Sequence, residues 1–159
     1  MNNNEPIWQQ HQFYMAKAIE LAEQAYDHGE VPVGAVVVQE NKIIGKGFNQ
    51  TQMLQDATAH AEMIALSAAF ESNGSKYLQG ATLYVSLEPC VMCAGALMWS
   101  KIDRLVFGAP DPKSGACGSL FSIHDDKKLN HRFEVIQGIL EADAEYLLKT
   151  FFAKKRTKG

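Results

Sequence analysis

Residues 81–99 read ATLYVSLEPCVMCAGALMW, and the change of pattern at Pro89 decides the fold class. Up to Leu87 the run alternates and is rich in β-branched and aromatic side chains, which suits a pleated, half-buried strand. Proline at 89 suits the opening of a helix, where a missing N–H costs nothing, and the Ala, Met and Leu run from Val91 to Trp99 continues it. A strand feeding a helix in this way is the basic step of an α/β protein.

The flanking sequence repeats the step. Downstream, Arg104–Phe107 reads as a strand, and a loop rich in Gly, Pro, Asp and Ser runs from Gly108 to Gly118. From there to Asn130 no periodicity emerges, and loops of that length are usually functional or disordered. Phe133–Gln137 reads as a strand. Ala142–Lys155 is an amphipathic helix with Ala144, Leu147, Leu148, Phe151 and Phe152 on its apolar side. Upstream, Ala59–Phe70 has no glycine or proline and is closed by Asn73-Gly74, so it reads as a helix. Val33–Val38 and Ile43–Phe48, separated by the polar break Glu40-Asn41-Lys42, read as a hairpin. From Phe13 to His28 the polar residues Lys17, Glu20, Gln24 and Asp27 oppose Met15, Ala18, Ile19, Ala22 and Tyr26, an amphipathic helix stopped by Gly29. The order α-β-β-α-β-α-β-β-α predicts a central sheet flanked by helices.

The chain has 159 residues, enough for one domain with a full core, and residues 1–159 are read as that single domain with flexible ends at 1–7 and 156–159. A hydrophobic fraction of 47% and a net charge of −3 are those of an ordinary soluble protein, and the acidic balance gives no argument for nucleic acid. No apolar run approaches the roughly 20 residues that cross a bilayer. MNNNEPIWQQHQFY lacks the basic and apolar regions of a secretory signal, so no membrane association and a cytoplasmic location are expected. Three cysteines, with Cys117 alone, make no disulfide framework and point to metal or redox chemistry instead.

Two motifs carry that chemistry: His60-Ala61-Glu62, and Pro89-Cys90-Val91-Met92-Cys93. Each sits where the chain feeds a helix N-terminus, so both can face one crevice at the strand ends. One imidazole and two thiolates, His60, Cys90 and Cys93, suit tetrahedral zinc, and the helix dipole and the cation would both lower the cysteine pKa values. Structural zinc sites use four protein ligands. Here no further Cys or His has an obvious claim, so water is expected in the fourth position, its pKa brought from 15.7 toward roughly 7. Glu62, two residues from His60, is expected to point to a different side of the helix and to act on that water as proton shuttle. Taken singly, the Cys-x-x-Cys could be a redox pair and the His-x-Glu surface filler. Together, H-A-E followed by P-C-x-x-C after a strand forms the pattern of the zinc nucleobase deaminases.

On these motifs the chain resembles the cytidine deaminase-like superfamily, and within it the bacterial tRNA adenosine deaminases. The stretches that carry the likeness are EVPVGAVVV (30–38), GKGFN (45–49), DATAHAEMIAL (56–66), LYVSLEPCVMCAGAL (83–97), GAPDPKSGACGSL (108–120) and LNHRFEVIQGIL (129–140). The resemblance implies a three-layer α-β-α fold with a central five-stranded mixed sheet, one Zn2+ per subunit, and a homodimer. It implies hydrolytic deamination of adenosine to inosine at the wobble position (34) of a tRNA anticodon stem-loop, with tRNA-Arg as target. In that likeness Glu62 is catalytic, Asn49 meets the base or its ribose, backbone around Ala61 and Leu87 lines the pocket, and Asp111, Lys113, Ser114 and Asn130 hold anticodon nucleotides.

The residues alone leave some choices open. Asp111-Pro-Lys-Ser-Gly is by itself a good turn. Phe152, with Phe151 and the basic Lys149, Lys154, Lys155, Arg156 and Lys158, either meets RNA or forms a solvated helix end. His131 and Arg132 are unassigned, and 94–99 could pack in the core or across subunits. A deaminase of a free base or nucleoside would share the same four central residues, and a noncatalytic zinc scaffold or a redox protein would share the cysteines.

Overall fold

A computed structural model describes residues 5–158; the remaining parts of the expected flexible ends, 1–4 and 159, lie outside the described residues. The elements follow the expected order: α1 (Glu5–Asp27), β1 (Gly34–Gln39), β2 (Lys42–Phe48), α2 (Ala61–Asn73), β3 (Thr82–Leu87), α3 (Val91–Trp99), β4 (Arg104–Ala109), β5 (Glu134–Gln137) and α4 (Glu141–Lys158). The sheet runs β2-β1-β3-β4-β5. Strand β1 is antiparallel to β2 and β3, while β4 is parallel to β3 and β5, so the sheet is mixed as expected.

Alternation along the strands divides the core into two. Ala35, Val37, Leu83, Val85, Leu105 and Phe107 pack toward α2 and α3 against Ala61, Ala65, Leu66, Ala94 and Leu97. The intervening Val36, Val38, Tyr84 and Val106 pack toward α1 against Tyr14, Met15, Ala18 and Ile19, with Leu147 of α4 at the margin. A sheet covered on both faces needs strands apolar on both sides, and β1, β3 and β4 are buried almost throughout.

Boundaries shift by one to three residues at several elements and by more at the start of α1. Helix α1 starts at Glu5, about two turns before Phe13. Residues 6–10, including Ile7 and Trp8, are exposed and the first inward side chain is the polar His11, so no apolar face existed there for periodicity to mark; Pro6 in the first turn was the usable signal. The hairpin turn contracts to Glu40-Asn41, both with positive φ, and Lys42 already belongs to β2. Helix α2 lies unusually close to β2: a Cβ on Gly47 would stand 2.5 Å from the Ala61 carbonyl oxygen. That tight seam fixes the start of α2, where the first motif lies.

Candidate metal centre and substrate cleft

The carboxyl ends of β3 and β4 and the first turns of α2 and α3 converge on one point. His60 is the N-cap of α2 and Cys90 the N-cap of α3, and neither side chain caps its own helix. Both are therefore free to face each other across the crevice. The His60 Nδ1 lies 3.6 Å from Cys90 Sγ and 3.5 Å from Cys93 Sγ, and the three ligand atoms lie within 4.8 Å of one another. Ligand bonds of about 2.3 Å to sulfur and about 2.0 to 2.1 Å to nitrogen at the tetrahedral angle separate S from N by roughly 3.5 to 3.6 Å. The donor set and its spacing thus fit a tetrahedral cation with three protein ligands. Among the described residues this is the one such His, Cys, Asp or Glu group.

The protein's own groups set the two thiols apart. A hydrogen bond from the Cys93 thiol brings Cys90 down to about 3, and the interaction with Cys90 in turn raises His60. Cys93, fully buried and sharing that bond as donor, is pushed up. Glu62 is also buried, at 4% exposure, and burial pushes its carboxyl up to about 7 against the opposing pull of its own backbone N–H and His60. The expected geometry needs a correction here. His60 sits on extended backbone at φ −74°, ψ 153°, so helical spacing does not separate it from Glu62. Both face the same cavity.

That cavity, about 310 Å³, is lined by His60, Ala61, Glu62, Cys90, Asn49, Leu87, Asp111 and Ser114 among the expected site residues. Lys113 is exposed on the same loop but outside the lining, and Asn130 and Phe152 are exposed elsewhere, Phe152 edge-on to Phe151 on α4. Asn49 spends part of its carboxamide internally, donating to the Val31 carbonyl at 3.2 Å and accepting from the Thr51 N–H at 3.4 Å. His131 donates to the Ile102 carbonyl at 2.6 Å, which makes it a fold residue.

Sequence reasoning missed the residues that build the walls. Val31, Val33, Thr51 and Glu88 also line the cavity. Glu30, 1% exposed, accepts from the N–H groups of Gln52 and Met53 at 3.0 and 2.7 Å and so secures the wall that carries Thr51. Only the EVPVG and LEPC stretches as wholes had drawn attention; nothing in them marks an acidic residue as buried.

The MafB19-like deaminase family model matches residues 9–156. A tRNA-specific adenosine deaminase of Haemophilus influenzae is 50% identical over 143 residues, 89% of this chain and 83% of the relative. The chain belongs to the tRNA-specific adenosine deaminase family. A Bacillus subtilis member is 44% identical over 149 residues, covering 94% of this chain and 92% of its own length. A solved structure described as a study of A-to-I editing by tRNA:A34 deaminases at the wobble position of transfer RNA superposes with a TM-score of 0.83 at 40% identity, covering 86% of this chain and 99% of that one. Family membership makes this chain a hydrolytic deaminase with the cytidine deaminase-like fold. Among the described residues no helix is long and apolar enough to cross a membrane.

Proposed function

We propose that this deaminase converts adenosine to inosine at position 34 of a tRNA anticodon, with tRNA-Arg as the target, and works as a cytoplasmic homodimer. The observation that carries the reading is the meeting of the His60, Cys90 and Cys93 donors with the buried carboxyl of Glu62 in one cleft. Zinc is the cation proposed for the three donors, and when bound it supplies a Lewis acid that lowers the pKa of water. Glu62 takes one proton from the attacking water and delivers it to N1 as the bond to C6 forms, then takes the second from the new C6 hydroxyl and gives it to the exocyclic amine, so that the C6–N bond breaks, the carbonyl forms and ammonia departs. A carboxyl with its pKa near neutrality is suited to both giving and taking that proton.

A base reaches this cleft only if it is splayed out of the anticodon loop. Asn49 and the backbone at Ala61 and Leu87 would hold the flipped base, with Asp111 and Ser114 on the opposite wall. Lys113 beside them, with Asn130 and Phe152 farther out, would meet the neighbouring nucleotides. Support for a dimer comes from an apolar surface cavity lined by Met63, Phe70, Tyr77, Ala96 and Trp99, with Trp99 70% exposed.

The test is ammonia release from an anticodon stem-loop with adenosine at position 34, set against free adenosine, cytidine, cytosine and guanine. Turnover of the stem-loop, with inosine in the product, is expected. Turnover confined to the free compounds would refute the RNA substrate while leaving deamination intact.

A further inference from the structure

Glu88 lies between Leu87 of the cleft and the Pro89-Cys90 segment, and it is 3% exposed. A buried carboxylate is tolerated where its oxygens are saturated with donors. Here one oxygen, Oε1, accepts from the Asp111 N–H at 2.9 Å and from the Ser119 hydroxyl at 2.5 Å. The other accepts from the N–H groups of Cys117 and Ser119 at 3.1 and 3.0 Å. All four donors belong to the loop that follows β4. Gly115 packs directly on this carboxylate, so closely that a Cβ there would collide with it. The neighbouring backbone joins the same seam, the Ala116 N–H donating to the Pro89 carbonyl at 2.9 Å.

These bonds tie the cleft wall to the segment that bears Cys90. Asp111 in turn shapes the wall locally, its carboxylate accepting from the N–H groups of Lys113 and Ser114 at 3.0 and 3.2 Å. We infer that Glu88 is a positioning residue for substrate: through the Asp111 N–H it sets where the 111–114 wall stands relative to the donor triangle. The inference deepens the RNA-editing reading given above and rests on it for the choice of substrate.

Glu88→Gln tests it with a specific geometric outcome. An amide NH2 in place of Oε2 would confront two N–H groups with no acceptor. In place of Oε1 it can still donate to the Ser119 oxygen, and only the Asp111 N–H is then left without a partner. The variant should lose hydrogen-exchange protection at Asp111, while Cys117, Ser119 and the sheet residues Val85 and Phe107 keep theirs. On the stem-loop KM should rise by about tenfold, the scale of one charge-assisted hydrogen bond, with the loss falling on KM rather than kcat and metal content retained.

A retained Asp111 amide, an unchanged KM, or a loss confined to kcat would overturn the assignment. Should Glu88→Gln fail to fold, Ser119→Ala removes the hydroxyl donor alone; a smaller rise in KM with the metal retained is then expected, and an unchanged KM refutes the inference. If the unaltered enzyme turns over a free base instead of the stem-loop, the RNA reading fails separately. The exchange experiment, and the same KM measurement on that base, then still decide the role of Glu88.

Discussion

Replacing Gly47 by alanine should disable the site from the far side of a helix. The added Cβ would stand 2.5 Å from the Ala61 carbonyl oxygen, 2.7 Å from the Ala65 nitrogen and 2.9 Å from the Ile64 Cβ. Ordinary contact begins at 3.4 Å, so the first turn of α2 must retreat by 0.9 Å. The obstructing atoms are mostly helix backbone, which cannot swing aside as a side chain would. Overpacking of this kind costs about 1 to 3 kcal/mol, or roughly 2 to 12 °C in Tm for a domain of this size. The larger consequence is local, because Ala61 separates His60 from Glu62. A displacement near 1 Å at a reacting group costs roughly a hundredfold in rate, and the same shift opens the donor triangle.

The control is Gly45→Ala, which meets the same helix one turn farther on, at the Ala65 carbonyl and the Ala69 nitrogen. Both variants should lose Tm, measured by thermal denaturation. Only Gly47→Ala should also lose about a hundredfold in kcat/KM for the stem-loop and hold its metal less tightly. Equal losses of activity in two variants of matched Tm would refute the reasoning.

Glu62→Gln should keep one equivalent of metal and lower the rate of ammonia release by roughly a hundredfold to ten-thousandfold; loss of metal together with the fold would contradict its assignment as proton carrier. Dialysis against a strong chelator should abolish turnover and lower Tm, since the ion binds the native state alone, and zinc should restore both; activity persisting in protein shown by elemental analysis to be metal-free would rule the metal out. The third case concerns stability against pH. Burial lowers the pKa of His11, with Arg104 adding to the effect and Glu134 opposing it, and its Nδ1 lies 2.8 Å from the Tyr84 hydroxyl. Below the ordinary histidine value of about 6.5 the unfolded chain binds a proton that the folded chain refuses, so stability should fall with pH until the folded pKa is reached. Urea midpoints between about pH 7.5 and 5.5 should show that slope, and His11→Gln, which keeps a hydrogen-bonding group without the titration, should flatten it.

What the sequence made legible follows from the range over which each constraint acts. The order of elements could be read because strand and helix periods are local, and because β1, β3 and β4 are apolar on both faces. The start of α1 was illegible because residues 6–10 are exposed and the first side chain to turn inward is the polar His11. The donors His60, Cys90 and Cys93 stood out because metal chemistry restricts residue type and spacing together. Glu62 was placed by a helical rule that fails at an N-cap, where His60 is still extended.

The wall residues were hidden for a different reason. Glu30 binds backbone 22 and 23 residues away, and Glu88 binds backbone 23 to 31 residues away. Backbone N–H groups carry no side-chain identity, so the donors leave no trace in the sequence and each acceptor looks like one more surface glutamate. The two halves of the cleft are nonetheless built alike. The residues proposed for proton and metal chemistry sit at helix N-termini fixed by the sheet, whereas each facing wall is a loop held by one buried carboxylate. Such an arrangement lets the walls be altered without moving the donors, provided Glu30 and Glu88 keep their partners. A change at Ser114, which holds no bond to either carboxylate through its side chain, should therefore act on substrate choice, whereas a change at Glu88 should act on the wall as a whole.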